Sequence, residues 1–209
     1  ALVSVLNAGN GAVLGTTHTD ANGNYNVTVP SSGTVSVQLR VEARNTDTND
    51  RISLQVLSDT ANRTLLTAAG PAAQRDTNGS LTISLDIPVA GGGAGAFNIF
   101  DGGVRAQEFI NRFSTRTPPL LTFFWQPTPD GPGSDDGTFF SEDNAIHLLN
   151  RATPNENQPN APNSDEFDDS VILHETGHYI LANYGVDKSR GGIHFIDGDH
   201  SDIRLAWSE

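Results

Sequence analysis

The chain has no cysteine and no methionine, and Lys188 is its only lysine. The absence of cysteine excludes disulfides and thiolate-bound metals, which leaves histidine and carboxylate as the strong metal ligands. Acidic residues outnumber basic ones by 25 to 12, and the formal net charge is -13. Because such a surface repels phosphate groups, nucleic acid and anionic membranes are poor candidate partners.

Long apolar runs are also missing. No segment approaches the roughly 18 to 20 apolar residues that a membrane span needs, so we expect no membrane span. No charged-then-apolar signal segment opens the chain, which begins at Ala1. We therefore interpret the sequence as a processed or excised piece of a longer protein. Tyr25 is the only aromatic residue among the first 90, so this half lacks the aromatic stripe of a sugar-binding module.

Residues 1–88 have the pattern of short strands separated by turns. Seven runs are rich in Val, Ile, Leu and Thr: "LVSVLN", "AVLGTT", "YNVTVP", "TVSVQLRVEA", "RISLQVL", "RTLLTAA" and "SLTISLDIP". This spacing predicts an all-β antiparallel sandwich. Between two of the runs, "TDANGNY" predicts a tight hairpin turn rather than a calcium loop. The run "VAGGGAGA" (89–96) then predicts a flexible Gly-rich linker that separates two domains.

Residues 97–209 mix helix and strand signals, which predicts an α+β domain. Asp101 is the predicted cap of a helix through "VRAQEFINRF", and "LLTFFWQ", "TFF" and "AIHLL" are predicted strands. A last helix is expected over "DEFDDSVILHETGHYILANYG", with Ser164 as its N-cap and Gly185 just past its end.

The start of this last helix is strongly acidic. Asp165, Glu166, Asp168 and Asp169 place negative charge near the positive end of the helix dipole, which is a structural explanation for the run. The alternative, which the sequence leaves open, is that some of these carboxylates hold Ca²⁺.

The same helix carries the motif H-E-x-x-H at His174, Glu175 and His178. Residues i and i+4 lie on one helix face, so two imidazoles can bind one Zn²⁺. Zinc lowers the pKa of its bound water toward about 7, and a neighbouring carboxylate can then act as general base. This pattern assigns His174 and His178 as ligands and Glu175 as the base.

Catalytic zinc normally has three protein ligands, and a third must lie elsewhere. The metzincin extension is excluded, because Leu181 and Tyr184 occupy the positions where it needs glycine and histidine. Downstream candidates for the third ligand are His194, Asp197, Asp199, His200, Asp202 and Glu209.

The motifs "DEFDDSVILHETGHYI", "GGIH" and "RLAWSE" together resemble the secreted bacterial HExxH metallopeptidases of the gluzincin kind. The resemblance covers roughly residues 97–209 and implies a zincin-like domain that is C-terminally truncated at Glu209. It also implies Glu209 as the third zinc ligand. His194, in the "GGIH" run, is a candidate catalytic residue that hydrogen-bonds the tetrahedral intermediate; a substitute ligand and an ordinary loop histidine are the alternatives.

The run "GAVLGTTHTDANGNYNVTVP" resembles the carboxypeptidase-regulatory, transthyretin-like β-sandwich that is often attached to secreted enzymes. In that family the segment matching "LVSVLN" is usually the second strand. We therefore expect the first strand to be absent and the sandwich to have an open edge, through which the chain could self-associate.

Two functions follow from these observations. The first is a zinc-dependent endopeptidase, or a fragment of one, which is bacterial, extracellular or attached to the cell surface, and acts on a peptide or protein substrate. The alternative is a structural or assembly protein of the cell surface or an extracellular filament, in which the protease-like half is incomplete or inactive.

Overall fold

The computed structural model describes residues 1–30, 33–46, 49–75, 79–89, 93–126, 137–141, 143–150 and 164–185. Two sheets and two helices make a β-rich α+β fold. In chain order the elements are β1 Leu2–Asn7, β2 Val13–His18, β3 Val35–Glu42, β4 Arg44–Asn45, β5 Leu54–Leu57, β6 Thr67–Ala69, β7 Ala73–Arg75, α1 Gly93–Ile110, β8 Leu121–Phe124, β9 Phe139–Ser141, β10 Ala145–His147 and α2 Asp169–Tyr184. Neither described helix is both long and apolar enough to cross a bilayer.

The first sheet is antiparallel and has the order β2-β1-β3-β6, with β7 also paired to β3. β1 and β2 form a hairpin, and β3 runs along the other side of β1. β1 therefore has a neighbour on each side and does not lie at an edge. The prediction of an open edge beside β1 is therefore wrong, and the described edges of this sheet belong to other strands.

The second sheet is mixed and has the order β4-β5-β8-β10-β9. β5, β8 and β10 are parallel, while β4 and β9 are antiparallel to their neighbours. Strands from both sides of the predicted linker thus share one sheet, since β5 pairs with β8 over four residues. The chain passes between the sheets at Ala43, where the buried Glu42 carboxylate forms ion pairs with Arg40 and Arg44 at 2.9 and 2.7 Å.

Five of the seven predicted runs in the first half contain a strand, as does each predicted strand of the second half. The runs "YNVTVP" and "SLTISLDIP" are exceptions, because no strand is assigned in the described residues 25–30 and 80–88. Their side chains still pack on the first sheet: Tyr25, Val27, Val29 and Ile83 join the core around Val3 and Leu39. A turn does lie at 19–25, where the Asp20 side chain accepts hydrogen bonds from the backbone amides of Asn22 and Asn24. It is not the predicted hairpin turn, because no strand is assigned at 25–30.

Helix α1 corrects two predictions. It begins at Gly93, so the prediction of a flexible linker over 89–96 is wrong for residues 93–96, which are helical. Asp101 lies in the middle of α1 rather than at its N-cap, and its carboxylate forms an i, i+4 ion pair with Arg105 at 2.6 Å. The helix forms despite its glycines because Gly95, Ala96, Ile99 and other residues on one face are buried against the core.

Three glycines on this face let α1 approach its neighbours closely. A Cβ atom at Gly102 would lie 2.8 Å from Ile172 of α2, and one at Gly103 would lie 2.8 Å from the Phe123 ring of β8. A Cβ at Gly95 would lie 2.7 Å from the Trp125 ring. Such distances are shorter than any tolerated contact between carbon atoms, so only glycine permits this packing.

A buried amide fixes α1 to the second sheet. The Gln107 side chain, which is fully buried, accepts a hydrogen bond from the Ser53 amide at 2.7 Å and donates one to the Ser53 carbonyl at 3.1 Å. Nearby, the Arg51 guanidinium donates to the Ser114 carbonyl at 2.6 Å. The segment that leads into β5 is thus bound both to α1 and to the turn that follows it.

We predict that Gly102→Ala destabilises the fold by about 1 to 3 kcal/mol, because the new methyl group overlaps Ile172. Gly177 in α2 is the matched control, since a Cβ there meets no described atom within 4 Å. Gly177→Ala should instead stabilise by about 0.5 to 1 kcal/mol through helix propensity. Urea unfolding of both variants measures the difference, and equal midpoints would contradict the close packing of α1 on α2.

Candidate metal centre

Helix α2 is held against the core by one of its faces. Ile172, Thr176 and Tyr179 are buried, and with Asn183 they lie within about 60° of arc at about 100° per residue. The Tyr179 hydroxyl donates to the Pro119 carbonyl at 2.6 Å, and the Asn183 amide donates to the Asn144 side chain at 2.7 Å. These contacts set both the position of the helix and its rotation about its own axis.

The two motif histidines project from roughly the opposite side of α2. The Nε2 atoms of His174 and His178 are 3.1 Å apart, and the rings are perpendicular with centroids 4.7 Å apart. Both side chains are half-buried. The structure therefore brings together these two sequence-predicted ligands, with their Nε2 atoms within hydrogen-bonding distance of each other.

This spacing fits a shared metal ion. With Zn–N bonds of about 2.0 to 2.1 Å and tetrahedral angles, two ligand nitrogens lie about 3.3 Å apart. The observed separation of 3.1 Å needs only a small adjustment to reach that value. The chemistry of the pair also fits zinc, because neutral imidazole is a preferred zinc ligand.

Glu175 lies between these two faces of the helix and is buried, with 7% of its surface exposed. Its position in the chain directly follows His174, so its side chain leaves the helix about 100° away from the first imidazole. Glu175 is thus a buried carboxylate on the same turn of α2 that carries the two imidazoles.

The predicted third ligand and the other downstream candidates fall outside the part of the chain that the structure describes. This applies to Glu209, His194 and His200, and to the aspartates between them. Within the described residues, no group of three His, Asp or Glu side chains is placed to hold a metal. Of the predicted zinc ligands, only His174 and His178 therefore lie in the part of the chain that the structure describes.

The start of α2 differs from the prediction. Asp168, not Ser164, is the N-cap: its carboxylate accepts hydrogen bonds from the amides of Ser170 at 3.0 Å and Val171 at 3.2 Å. The Ser164 hydroxyl instead donates to the Glu166 carboxylate. The predicted end at Gly185 is confirmed.

The rest of the acidic run contacts side chains from distant parts of the chain. Asp169 accepts a hydrogen bond from the Asn98 amide at 3.2 Å and lies 3.5 Å from the Arg105 guanidinium. Asp165 accepts a hydrogen bond from Thr138. Burial raises the pKa of both Asp165 and Glu166. These contacts support the structural explanation of the run, while the calcium alternative stays a prediction.

His147, which lies outside the motif, has a different environment. Its ring stacks between Phe124 and Phe139, with centroid distances of 5.1 and 4.6 Å. Burial lowers its pKa, and the carboxylate of Asp143 opposes this effect. A histidine enclosed in this way between two aromatic rings serves packing, and it provides a natural control for the motif pair.

Sequence reasoning missed two residue sets that support the site. The glycines at 95, 102 and 103 have i, i+7, i+8 spacing, which is a signal of one helix face and not of a linker. Arg116 donates to the Asn183 carbonyl at 3.1 Å, and its guanidinium lies 5.1 Å from the centre of the Tyr184 ring. Arg116 thus provides a hydrogen-bond donor for a carbonyl group at the C-terminal end of α2. Because Arg116 lies in a distant loop, no local sequence pattern predicts this contact.

The chain matches no family model, no curated protein and no solved structure. The resemblances to gluzincin metallopeptidases and to transthyretin-like sandwiches therefore remain expectations from the quoted motifs. The geometry of α2 is the observation from which a function can be argued.

We predict that Asp168→Ala destabilises the protein by about 1 kcal/mol, because the first turn of α2 loses its side-chain acceptor. Ser164→Ala is the matched control and should cost less, since Ser164 accepts no hydrogen bond from the helix start among the described contacts. Chemical denaturation measures the free energy of unfolding of both variants and shows which residue is the N-cap of α2. A larger loss for Ser164→Ala would show that the helix start is assigned to the wrong residue.

Proposed function

We propose that this chain is a zinc-dependent endopeptidase, or a fragment of one, that hydrolyses peptide bonds. The observation that carries the proposal is the 3.1 Å separation of the His174 and His178 Nε2 atoms on a helix whose opposite face is anchored in the core. The buried Glu175 beside this pair supports a hydrolytic role over a purely structural metal site. The secreted bacterial setting and the transthyretin-like identity of residues 1–88 belong to the same proposal.

His174 and His178 would hold the ion through Nε2, and Glu209 is the third ligand that the resemblance implies. When bound, zinc would acidify a water molecule and polarise the scissile carbonyl. Glu175 would accept a proton from the attacking water and pass it to the leaving amine nitrogen. His194 would donate a hydrogen bond to the developing oxyanion.

A peptide substrate is supported by the sheet edge beside α2. Phe140 of β9 contacts Tyr179 edge-on, with ring centroids 6.4 Å apart, so β9 runs along the core-facing side of α2, opposite the histidines. In the described part of the chain β9 is the terminal strand of the second sheet. An extended peptide can add to such an edge through backbone hydrogen bonds.

The first test measures zinc binding and does not depend on activity. We expect His174→Ala and His178→Ala each to weaken zinc affinity at least about 100-fold, because each variant loses one of the three proposed ligands. His147→Ala should bind zinc like the parent chain, since that ring stacks between phenylalanines. Competition with a chromophoric chelator gives the affinities. Equal affinities for all three variants would reject the centre.

The second test separates the base from the ligands. Glu175→Gln should retain zinc and lower the rate of peptide cleavage by about 10² to 10⁴, because the amide cannot accept the proton from water. The parent chain with its zinc removed by a chelator is the control for background cleavage. If the zinc-loaded variant cleaves as fast as the parent chain, Glu175 is not the base.

A further inference from the structure

A large cavity lies away from α2, between the first sheet and α1. Its volume is about 910 Å³, which is in the range of small-molecule binding sites. Its walls come from the start of β1, the turn after β2, the middle of β3, residues 81–87, and α1. We call this space the acidic cavity.

The floor of the acidic cavity is apolar. Val3 and Leu39 of the first sheet are buried there, as is Phe100 of α1. Residues 81–87 form a further wall, and the Tyr25 hydroxyl holds this segment by donating to the Ile83 carbonyl at 2.5 Å. A ligand with an apolar body would therefore displace water from hydrocarbon surface on several sides.

The rim of the cavity is negatively charged. Its carboxylates come from separate parts of the chain: Asp20, Asp50, Asp86, Asp101 and Glu108. No lysine or arginine occurs among the described residues that line the space, and His18 is the one basic side chain among them. Acidic groups around a low-dielectric cleft focus a negative potential into it.

Asp101 forms an ion pair with Arg105, which does not line the cavity, so Asp86 and Glu108 are the clearest test positions.

We propose that the acidic cavity binds small organic cations in which an ammonium or guanidinium group is carried on an apolar body. The apolar part of the ligand would pack on the apolar floor, and its cationic group would lie near the carboxylates of the rim. The volume, the apolar surface and the charge of the cavity therefore all fit this class of ligand. This site is independent of the histidine pair and of the proposed peptidase activity.

The direct test is a fluorescence titration of the whole chain with dansylcadaverine, whose emission rises and shifts to the blue in apolar surroundings and which carries a primary ammonium group. We expect saturable binding that weakens as salt is added, because rim charges are screened. Dansylglycine, which has the same fluorophore and a negative charge, should bind at least about tenfold more weakly. Absence of saturation, or equal binding of the two probes, overturns the proposal.

Variants then locate the binding site. Asp86→Asn and Glu108→Gln each remove one exposed rim charge and should weaken dansylcadaverine binding about fivefold. Asp143→Asn removes the same charge from an exposed turn outside the cavity lining and should leave the affinity unchanged. Thermal melts check that all three variants fold. If Asp143→Asn weakens binding as much as the rim variants, the probe responds to net charge alone and the cavity is not its site.

Discussion

The close approach of α1 to its neighbours is the constraint on which the rest of the structure depends. Gly95, Gly102 and Gly103 bring the helix backbone against Trp125, Ile172 and Phe123, which belong to three different parts of the second half of the chain. A helix with this many glycines has low intrinsic stability, because each glycine loses more backbone entropy than alanine does. The helix forms because the packing that the glycines allow exceeds that cost. The glycines therefore serve tertiary packing, although the local composition of the segment is typical of a flexible linker.

The position of the histidine pair follows from this packing. α2 contacts α1 through Ile172, and the same face of α2 is extended by Thr176, Tyr179 and Asn183. Fixing that face fixes the direction of His174 and His178 on the other side. In the proposed metal centre, two histidines whose spacing is already set would lose little conformational freedom on binding, which would favour affinity and a defined geometry. The i, i+4 positions on one helix set the distance between the two histidines. The contacts of α2 with the core set the direction in which they project.

The sequence predicted most of what short-range patterns control. Five strand runs of the first half, three strands of the second, the turn at Asp20 and the helix that carries the motif all follow from periodicity and turn residues. The predictions failed where contacts between residues far apart in the chain determine the local structure. Gly93 to Ala96 have the composition of a linker, yet they are helical because Trp125 and Glu166 pack against Gly95. Asp168 and Ser164 are both good capping residues, and only the fold selects Asp168. The geometry around Glu209 and His194 stays a prediction.

The pairing of β5 with β8 has the largest consequence for how the two halves of the chain relate. These strands are separated by more than sixty residues, and neither carries a local signal of its partner. Their pairing places Leu54 and Val56, from the predicted sandwich half, in the same core as Ile172 and Tyr179 of the motif helix. The bonds from Gln107 to Ser53 then tie α1 to the beginning of β5. The residues before the glycine run thus supply part of the support beneath the histidine pair, because the sheet on which both helices pack is completed by β4 and β5. A sandwich attached only through a flexible tether could not do this, since it would share neither backbone hydrogen bonds nor a core with the half that carries the histidine pair.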